Sequence, residues 1–445
     1  MLAVVRPGAF GFAIAFLVAA LLALASGLVL TEDRTKSAIQ ESFASGFAGP
    51  DTTADWVECA ALTMQLVRSK AVIRNALETR WIRPQTHTCD DLRRMVESPP
   101  EGIPYINYAA GGLHLESVLL SFLPLSTINA VYSILSYVSI AAIFLGACYN
   151  SPRRALTIAA PITLALAFCF AMPRWANNAL WAPGFFIGFF LLGIFLAIPR
   201  FFASAGNRVA FYVFLGTLIA YFDQLHGPLP VILSLLIVLN YFFYEEPHQP
   251  WHHVIGRCVL IATCFVLAFA MLTLLRLQML ALLTGDSPWP QFWGSLSARL
   301  GDSADQLPSI GITDILRALW MYRVELTGSA PASTALLASG ALAWGCAVAT
   351  ADRESAPGLV VLALASGGIL LWYAVFPNHS IVHAWLMVRM LALPAAFGFA
   401  AFFWAAKPHS RVWDMSMAGV WVTVTLACSL ALVFILAGLL GVSGF

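Results

Sequence analysis

A chain of 445 residues that is 60% hydrophobic and only 11% charged, with a mean hydropathy of +0.80, does not have the composition of a soluble protein. Its apolar residues form long continuous runs, which predict an all-α, polytopic membrane protein rather than a membrane β-barrel. The net charge of +1 argues against a nucleic-acid partner.

The apolar runs are spread over the whole chain, so we predict a single membrane domain, residues 1–445, with about eleven spans. The first run is too long for the core of a signal peptide and is expected to stay as an uncleaved span. The predicted spans are 8–30, 128–149, 155–172, 184–199, 209–222, 228–244, 254–275, 331–350, 357–376, 384–404 and 416–440.

The orientation follows from the positive charges in the short connections. If the N-terminus is inside, every inside connection carries Lys or Arg and the outside connections carry few. Two outside segments are then too long to be simple connectors, 31–123 and 276–330. The inside charges are Arg6, Arg153, Arg154, Arg200, Arg208, Arg257, Arg353, Lys407 and Arg411.

The first outer loop, 31–123, carries most of the charges. Residues 51–70 have apolar side chains at helical spacing, which predicts an amphipathic helix lying along the membrane surface. Residues 84–104 are broken by prolines and are expected to be irregular, and 113–123 is apolar but too short to span. Cys59 and Cys89 both lie in this loop, and an outside location allows a disulfide, although the sequence does not give their distance.

The same loop holds the candidate catalytic carboxylates Asp33, Asp55 and Glu58. Asp55 and Glu58 are three residues apart and share a helix face. Such a carboxylate could act as a general base on an acceptor hydroxyl, or the pair could hold a divalent metal. An ordinary solvated helix face is the alternative for Glu58, and favourable interaction with the helix N-terminus is the alternative for Asp55.

Cationic and imidazole groups on the outer side form a candidate phosphate site. Arg389 lies in an apolar stretch where a cation is costly unless it meets a protein interior, water or an anion, and its guanidinium suits a phosphate. Arg174 is a second candidate, with interfacial snorkelling as the alternative. His379 and His383 have a spacing compatible with a metal, but hydrogen bonding to a phosphate or sugar is favoured. The alternative role of His379, His383 and Arg389 is structural, to hold two neighbouring helices together.

Four further residues on the same side are candidates for binding the substrate, Asp223, His226, Asn378 and Tyr108. Asp223 lies at the outer boundary between two spans and could orient a histidine or a sugar hydroxyl. Capping of the helix that follows is its alternative role. The concentration of unusual polar residues on one side predicts one outward-facing cavity.

The layout of the whole chain resembles the GT-C glycosyltransferases, which have a large first outer loop with surface helices and an acidic residue. The segment Asp51-Thr52-Thr53-Ala54-Asp55-Trp56-Val57-Glu58-Cys59 stands where the acidic motif of that family would be. The paired Asp-Glu of some members is missing. Residues 222–229 and 378–389 are also similar to a bacterial branch of the family.

This resemblance implies a fold, an activity and a location. The enzyme would take a sugar from a polyprenyl-phosphate carrier on the periplasmic face of a bacterial inner membrane. It would transfer the sugar to a protein or glycan acceptor. The catalytic acid of the first outer loop would be Asp33, Asp51 or Asp55. Members that transfer arabinose to pilin have a similar size, which implies pilin as one acceptor.

A lipid or sugar flippase is the second hypothesis. Such transporters often show internal repeats and polar sites at mid-membrane. We find no repeat in this sequence, and the polar residues lie towards one side, so transfer of a glycosyl group is favoured.

Overall fold

The computed structural model describes residues 2–44, 53–67, 72–82, 88–106, 111–170, 180–223, 227–245, 249–300 and 311–406. This part of the chain is almost entirely helical. In chain order its elements are α1 (Leu2–Val29), α2 (Glu32–Ala44), α3 (Thr53–Leu66), α4 (Val72–Leu77), β1 (Thr79–Trp81), α5 (Thr88–Met95), β2 (Ile103–Tyr105), α6 (Gly111–Leu120), α7 (Leu125–Asn150), α8 (Pro152–Arg154), a π-helical turn (Ala155–Ala159), α9 (Ala160–Phe170), α10 (Ala182–Ala197), α11 (Pro199–Phe202), α12 (Ala205–Phe222), α13 (Pro228–Tyr244), α14 (Trp251–Thr284), α15 (Trp289–Leu300), α16 (Ile312–Met321), α17 (Val324–Thr327), α18 (Ala330–Thr350), α19 (Ala356–Val375), α20 (Pro377–Val382), α21 (Ala384–Met387), a 3-10 turn (Val388–Leu391) and α22 (Ala392–Ala405).

The long helices confirm the prediction of an all-α polytopic membrane protein. Within the described ranges, eight helical segments are long and apolar enough to cross a membrane. The shorter apolar helices α10 and α13 fall in two further predicted spans. The last predicted span, 416–440, lies outside the described residues, so the count of eleven stays a prediction.

Helix α14 is longer than its predicted span, 254–275. It continues to Thr284 because the residues between Arg276 and Thr284 are leucines, a glutamine, a methionine and an alanine, all good helix formers. The helix ends at Gly285, whose φ of 73° is a left-handed conformation that favours glycine. Arg276 therefore lies inside a helix and not at the start of the second outer segment.

The loops on one side of the bundle are joined by hydrogen bonds. Arg276 of α14 donates to the carbonyl oxygen of Leu77 at 3.0 Å and to that of Ile106, and Gln291 of α15 donates to the Pro104 carbonyl at 3.1 Å. We call this side of the bundle, which carries α2–α6 and α15–α17, the loop end.

Part of the first loop is more regular than the sequence suggests. Residues 84–104, predicted to be irregular, contain α5, which has acidic residues in its first turn and arginines in its last, as the helix dipole favours. Strands β1 and β2 pair antiparallel, with Thr79 opposite Tyr105. A disulfide joins Cys59 of α3 to Cys89 of α5.

Candidate functional site at the loop end

The segment 377–391 lies at the loop end and breaks the helix predicted over 384–404. It forms α20, α21 and a 3-10 turn before α22 begins. Pro377 occupies the first turn of α20, where its missing N–H costs nothing. Pro394 cannot donate to Met390 and its ring crowds that carbonyl, which accounts for the turn at Val388–Leu391.

The two candidate histidines come together, as their spacing predicts. Their ring centroids are 4.6 Å apart, and His379 is buried. Burial, and to a smaller extent the nearby Arg299 cation, lower the pKa of His383 to about 4. His383 is therefore a neutral imidazole at pH 7, able to donate one hydrogen bond and accept another.

Two polar atoms beside these histidines have no hydrogen-bond partner in the part of the chain that the structure describes. Asn378 donates from Nδ2 to the Ala298 carbonyl at 2.7 Å, but its buried Oδ1 accepts nothing. Ser380 is fully buried and its Oγ is also unpartnered. Buried polar atoms of this kind are costly unless a ligand or water meets them.

Arg389 is buried in the 3-10 turn, with 2% of its surface exposed. Its Nε donates to the Leu386 carbonyl at 3.2 Å, and its guanidinium lies 5.8 Å from the centre of the Phe170 ring. The next residue, Met390, packs so closely on Gly227 that a Cβ there would lie 2.9 Å from its sulfur. Gly227 is thereby held against the segment that carries Arg389.

Asp223 has the capping role that its position allows. Its Oδ2 accepts a hydrogen bond from the backbone N–H of Leu229, in the first turn of α13, at 3.2 Å. The carboxylate is buried, with 2% exposure, and it also lines a large groove. The cap and a contact with substrate are compatible because a carboxylate has several acceptor sites.

That groove, which we call the central groove, lies between α12, α13, α14, α15 and α19 and has a volume of about 660 Å³. Along α14 it extends from Cys258 to Arg276, which is about 27 Å at 1.5 Å per residue. This nearly equals the thickness of the hydrocarbon core of a bilayer, about 30 Å. Most of its lining is apolar, so it suits a long hydrocarbon chain.

The polar groups of the central groove are concentrated at the loop end. Asp223 and Arg276 both line it there. Trp372 lines it close by, and its buried indole N–H has no acceptor among the described residues. Ser234 and Thr273 donate their hydroxyls to backbone carbonyls instead, Ser234 to Ala365 and Thr273 to Phe269.

Sequence reasoning missed Arg276 and Trp372 as site residues. Arg276 is the sole charged residue in the run 258–283, which is the same signal that singled out Arg389. The predicted span ends at residue 275, which places Arg276 in the loop that follows. For Trp372 the sequence carries no comparable signal, since tryptophans are common near membrane interfaces.

The predicted carboxylate helix exists, as α3. The structure describes the backbone of Asp55 and Glu58 within α3 but not their side chains, so their predicted roles stay predictions. Asp33 is exposed in the first turn of α2, where an acidic side chain favours the helix dipole.

Helix α3 is fixed to α6 through buried polar groups. Gln65 donates from Nε2 to the Leu113 carbonyl at 2.7 Å and more weakly to Glu116, and its Oε1 accepts from Ser117 Oγ at 2.6 Å. Glu116 is fully buried, and its Oε1 has no partner among the described residues. Burial raises the pKa of Glu116 to about 8, so the acid is mostly protonated at neutral pH.

His114 connects α6 to the end of α12. Its Nδ1 lies 2.5 Å from the Tyr221 hydroxyl, and its Nε2 lies 3.0 Å from the Asn75 carbonyl oxygen. Burial lowers the pKa of His114 to about 4, despite the hydrogen bond to Asn75. Gly111 allows this contact, because a Cβ there would lie 2.5 Å from the Tyr221 carbonyl oxygen.

Three of the predicted site residues, Tyr108, Arg174 and His226, lie outside the described residues. Among the side chains that the structure does describe, no three His, Cys, Asp or Glu form a metal-binding group. Asp55 and Glu58 are not among those side chains, so their alternative role as ligands of a divalent metal stays a prediction.

Comparison of the chain with family models, with curated proteins and with solved structures finds no match.

Proposed function

We propose that this protein is a membrane glycosyltransferase of the GT-C type, which moves a sugar from a polyprenyl-phosphate carrier to an acceptor. The central groove is the observation that carries the proposal. It offers one long apolar channel that ends, at the loop end, in a cation, a carboxylate and an unpartnered N–H donor. A lipid-linked sugar phosphate has the same order of parts, a long apolar chain followed by an anion and then hydroxyl groups.

In this proposal the leaving carrier phosphate is stabilised by Arg389, His379 and His383. Arg276 adds a cation at the end of the groove. Asp223 and the free acceptor atoms of Asn378 and Ser380 bind sugar hydroxyls, which can satisfy them. A carboxylate of α3, Asp55 or Glu58, accepts the proton of the acceptor hydroxyl.

The disulfide of the first loop supports the proposed location. Disulfides persist in oxidising compartments, so Cys59–Cys89 favours a periplasmic loop end. The positive charges of the opposite connections favour the same orientation. A bacterial inner membrane with the site facing the periplasm is therefore proposed.

The flippase hypothesis predicts a different placement of polar groups. The described unpartnered and charged groups of the central groove lie at its loop end and not at mid-membrane, where a transport site is expected. No specific feature of the structure favours transport.

The test compares two adjacent glycines of α19. Gly368 lines the central groove, whereas Gly367 does not line it and has open space around it. Gly368→Trp should fill the groove, and Gly367→Trp is the matched control with the same change in helix propensity. Purified protein is incubated with a radiolabelled polyprenyl-phosphate arabinose and an extract of acceptors, and release of polyprenyl phosphate is measured.

We expect release by the wild type and by Gly367→Trp, and a decrease of tenfold or more in Gly368→Trp. Equal release by the two variants would contradict donor binding in this groove. Movement of the intact labelled lipid across a vesicle membrane, without release of the carrier, would instead identify a flippase.

A further inference from the structure

A second apolar groove lies on another face of the bundle, between α9, α17, α18 and α22. We call it the lateral groove; its volume is about 760 Å³. Its floor exists because α18 and α22 touch through small residues, since a Cβ at Gly340 would lie 2.6 Å from the Ala395 Cα. Larger side chains on either side, among them Leu336, Phe399 and Phe402, form its walls.

A smaller cavity of about 400 Å³, which we call the head cavity, is lined by neighbouring residues at the loop end. The two are adjacent in the chain, because Leu336 lines the lateral groove and Leu337 lines the head cavity. Thr327, which lines the lateral groove, also lies one helical turn after Arg323, which lines the head cavity. The linings of the two cavities therefore meet at α17 and α18.

The head cavity holds two cations that form no ion pair with any described residue. Arg323 donates to the Trp320 carbonyl at 2.7 Å and to Thr334 Oγ at 3.2 Å, and its guanidinium lies 4.3 Å from the Trp320 ring centre. Arg317 is exposed and lines the same cavity. Two such cations beside an exposed tryptophan, at the membrane interface, are complementary to a phosphate headgroup.

The two grooves converge on the same turn. Leu391 lines the head cavity, and Met390 packs on Gly227 beside the end of the central groove. Arg389 precedes both in the turn Val388–Leu391. A lipid in the lateral groove and a lipid in the central groove would thus bring their headgroups towards the one turn that carries Arg389.

We propose that the lateral groove and the head cavity bind a second, phosphate-headed lipid, and that this lipid is the acceptor of the transfer. The site rests on the groove and its cations, whereas the acceptor role rests on the proposed function. The two cations of the head cavity favour a lipid with an anionic head over an apolar protein helix, which would leave them without a partner.

The binding test uses two photoreactive lipids with the same diazirine-bearing chain, a phosphatidic acid and a phosphatidylcholine. The full-length protein is reconstituted in phosphatidylcholine vesicles with one or the other, irradiated, and mapped by mass spectrometry. Ser339 is exposed and lines the lateral groove, whereas the neighbouring exposed Ala338 does not. Ser339→Trp is therefore the blocking variant and Ala338→Trp its matched control.

We expect the phosphatidic acid probe to label α18 and α22 at least fivefold more than the phosphatidylcholine probe. Ser339→Trp should lower this labelling at least fivefold and Ala338→Trp should not. Replacing Arg317 and Arg323 together by glutamine should remove the preference for the anionic headgroup. Equal labelling by both probes, or labelling insensitive to Ser339→Trp, would show ordinary surrounding lipid and overturn the site.

The acceptor role is tested by the fate of the sugar. Membranes containing the protein receive radiolabelled polyprenyl-phosphate arabinose, and the product is divided into organic-soluble lipid and precipitated protein. Label in a new lipid, lost in Ser339→Trp and kept in Ala338→Trp, is the expected result, and label in protein overturns the role. If no carrier phosphate is released by any variant, the proposed function itself fails, while the photolabelling result still decides the site.

Discussion

Because Glu116 is buried and protonated in the folded protein, we expect the free energy of unfolding to decrease as the pH rises above neutrality. Its pKa is raised by burial to about 8 in the folded protein, whereas an unfolded glutamate has a pKa of about 4.3. Between these values the folded state holds a proton that the unfolded state has lost. The contribution of Glu116 to stability therefore falls with rising pH across this window, by about 1.4 kcal/mol per pH unit.

The buried histidines act in the opposite direction at lower pH. The pKa of His114 and that of His383 are each lowered to about 4, so between pH 4 and 6.5 the unfolded state holds protons that the folded state lacks. In this range the two histidines together contribute a larger slope than Glu116, so the free energy of unfolding rises with pH. Near pH 6.5 the unfolded histidines are half protonated and their contribution equals that of Glu116, and at higher pH that of Glu116 dominates, so we expect a maximum near pH 6.5.

The predicted loss from pH 6.5 to pH 8 is about 1 kcal/mol, because Glu116 begins to lose its proton near pH 8 and the histidines still offset part of its slope just above pH 6.5. With an unfolding entropy of about 2.1 cal/mol/K per residue, this corresponds to roughly 1 °C in melting temperature. The assay is tryptophan fluorescence during heating of the purified protein, in one detergent, at several pH values. Glu116→Gln keeps the shape and the contact with Gln65 but cannot ionise, so its melting temperature should not fall above pH 6.5.

Glu97→Gln is the matched control, because Glu97 is an exposed residue of the same loop. It should keep the decline seen in the wild type. The reasoning is refuted if the wild type is equally stable at pH 6.5 and pH 8, or if Glu116→Gln declines as the wild type does.

Two further predictions concern Arg389 and the orientation. Arg389→Lys keeps the charge and loses the bidentate fork, so donor binding should weaken about tenfold, or about 1.4 kcal/mol, with little change in melting temperature. Normal donor binding in Arg389→Ala, with a stability loss that Asp223→Ala restores in the double variant, would indicate a structural pair instead. With the six cysteines outside the disulfide replaced, Ser329→Cys should react with an impermeant maleimide added to intact cells and Glu354→Cys should not. The reverse pattern of labelling would overturn the orientation.

The sequence by itself determined the class of fold and the end of the molecule at which the polar groups collect. Hydrocarbon solvent forces long apolar runs into helices, because every backbone polar group must be satisfied within the segment. Arginine is costly in the same solvent, so Arg389 was recognisable as a residue that needs a partner. The spacing of His379 and His383 was sufficient to predict that their rings meet, because it is a local property of a helix.

Tertiary structure decided which of these groups share a cavity. Asp223 and Arg276 are distant in sequence and come together because α12 and α14 pack side by side at the groove. The Cys59–Cys89 pairing depended on how α5 docks on α3, a distance that no local pattern contains. Glu116 looked like an ordinary polar residue of a loop helix, and only the packing of α3 over it shows that it is buried. Burial, unlike helix period, depends on the whole chain, and it is burial that raises the pKa of Glu116 and leaves its Oε1 without a partner among the described residues.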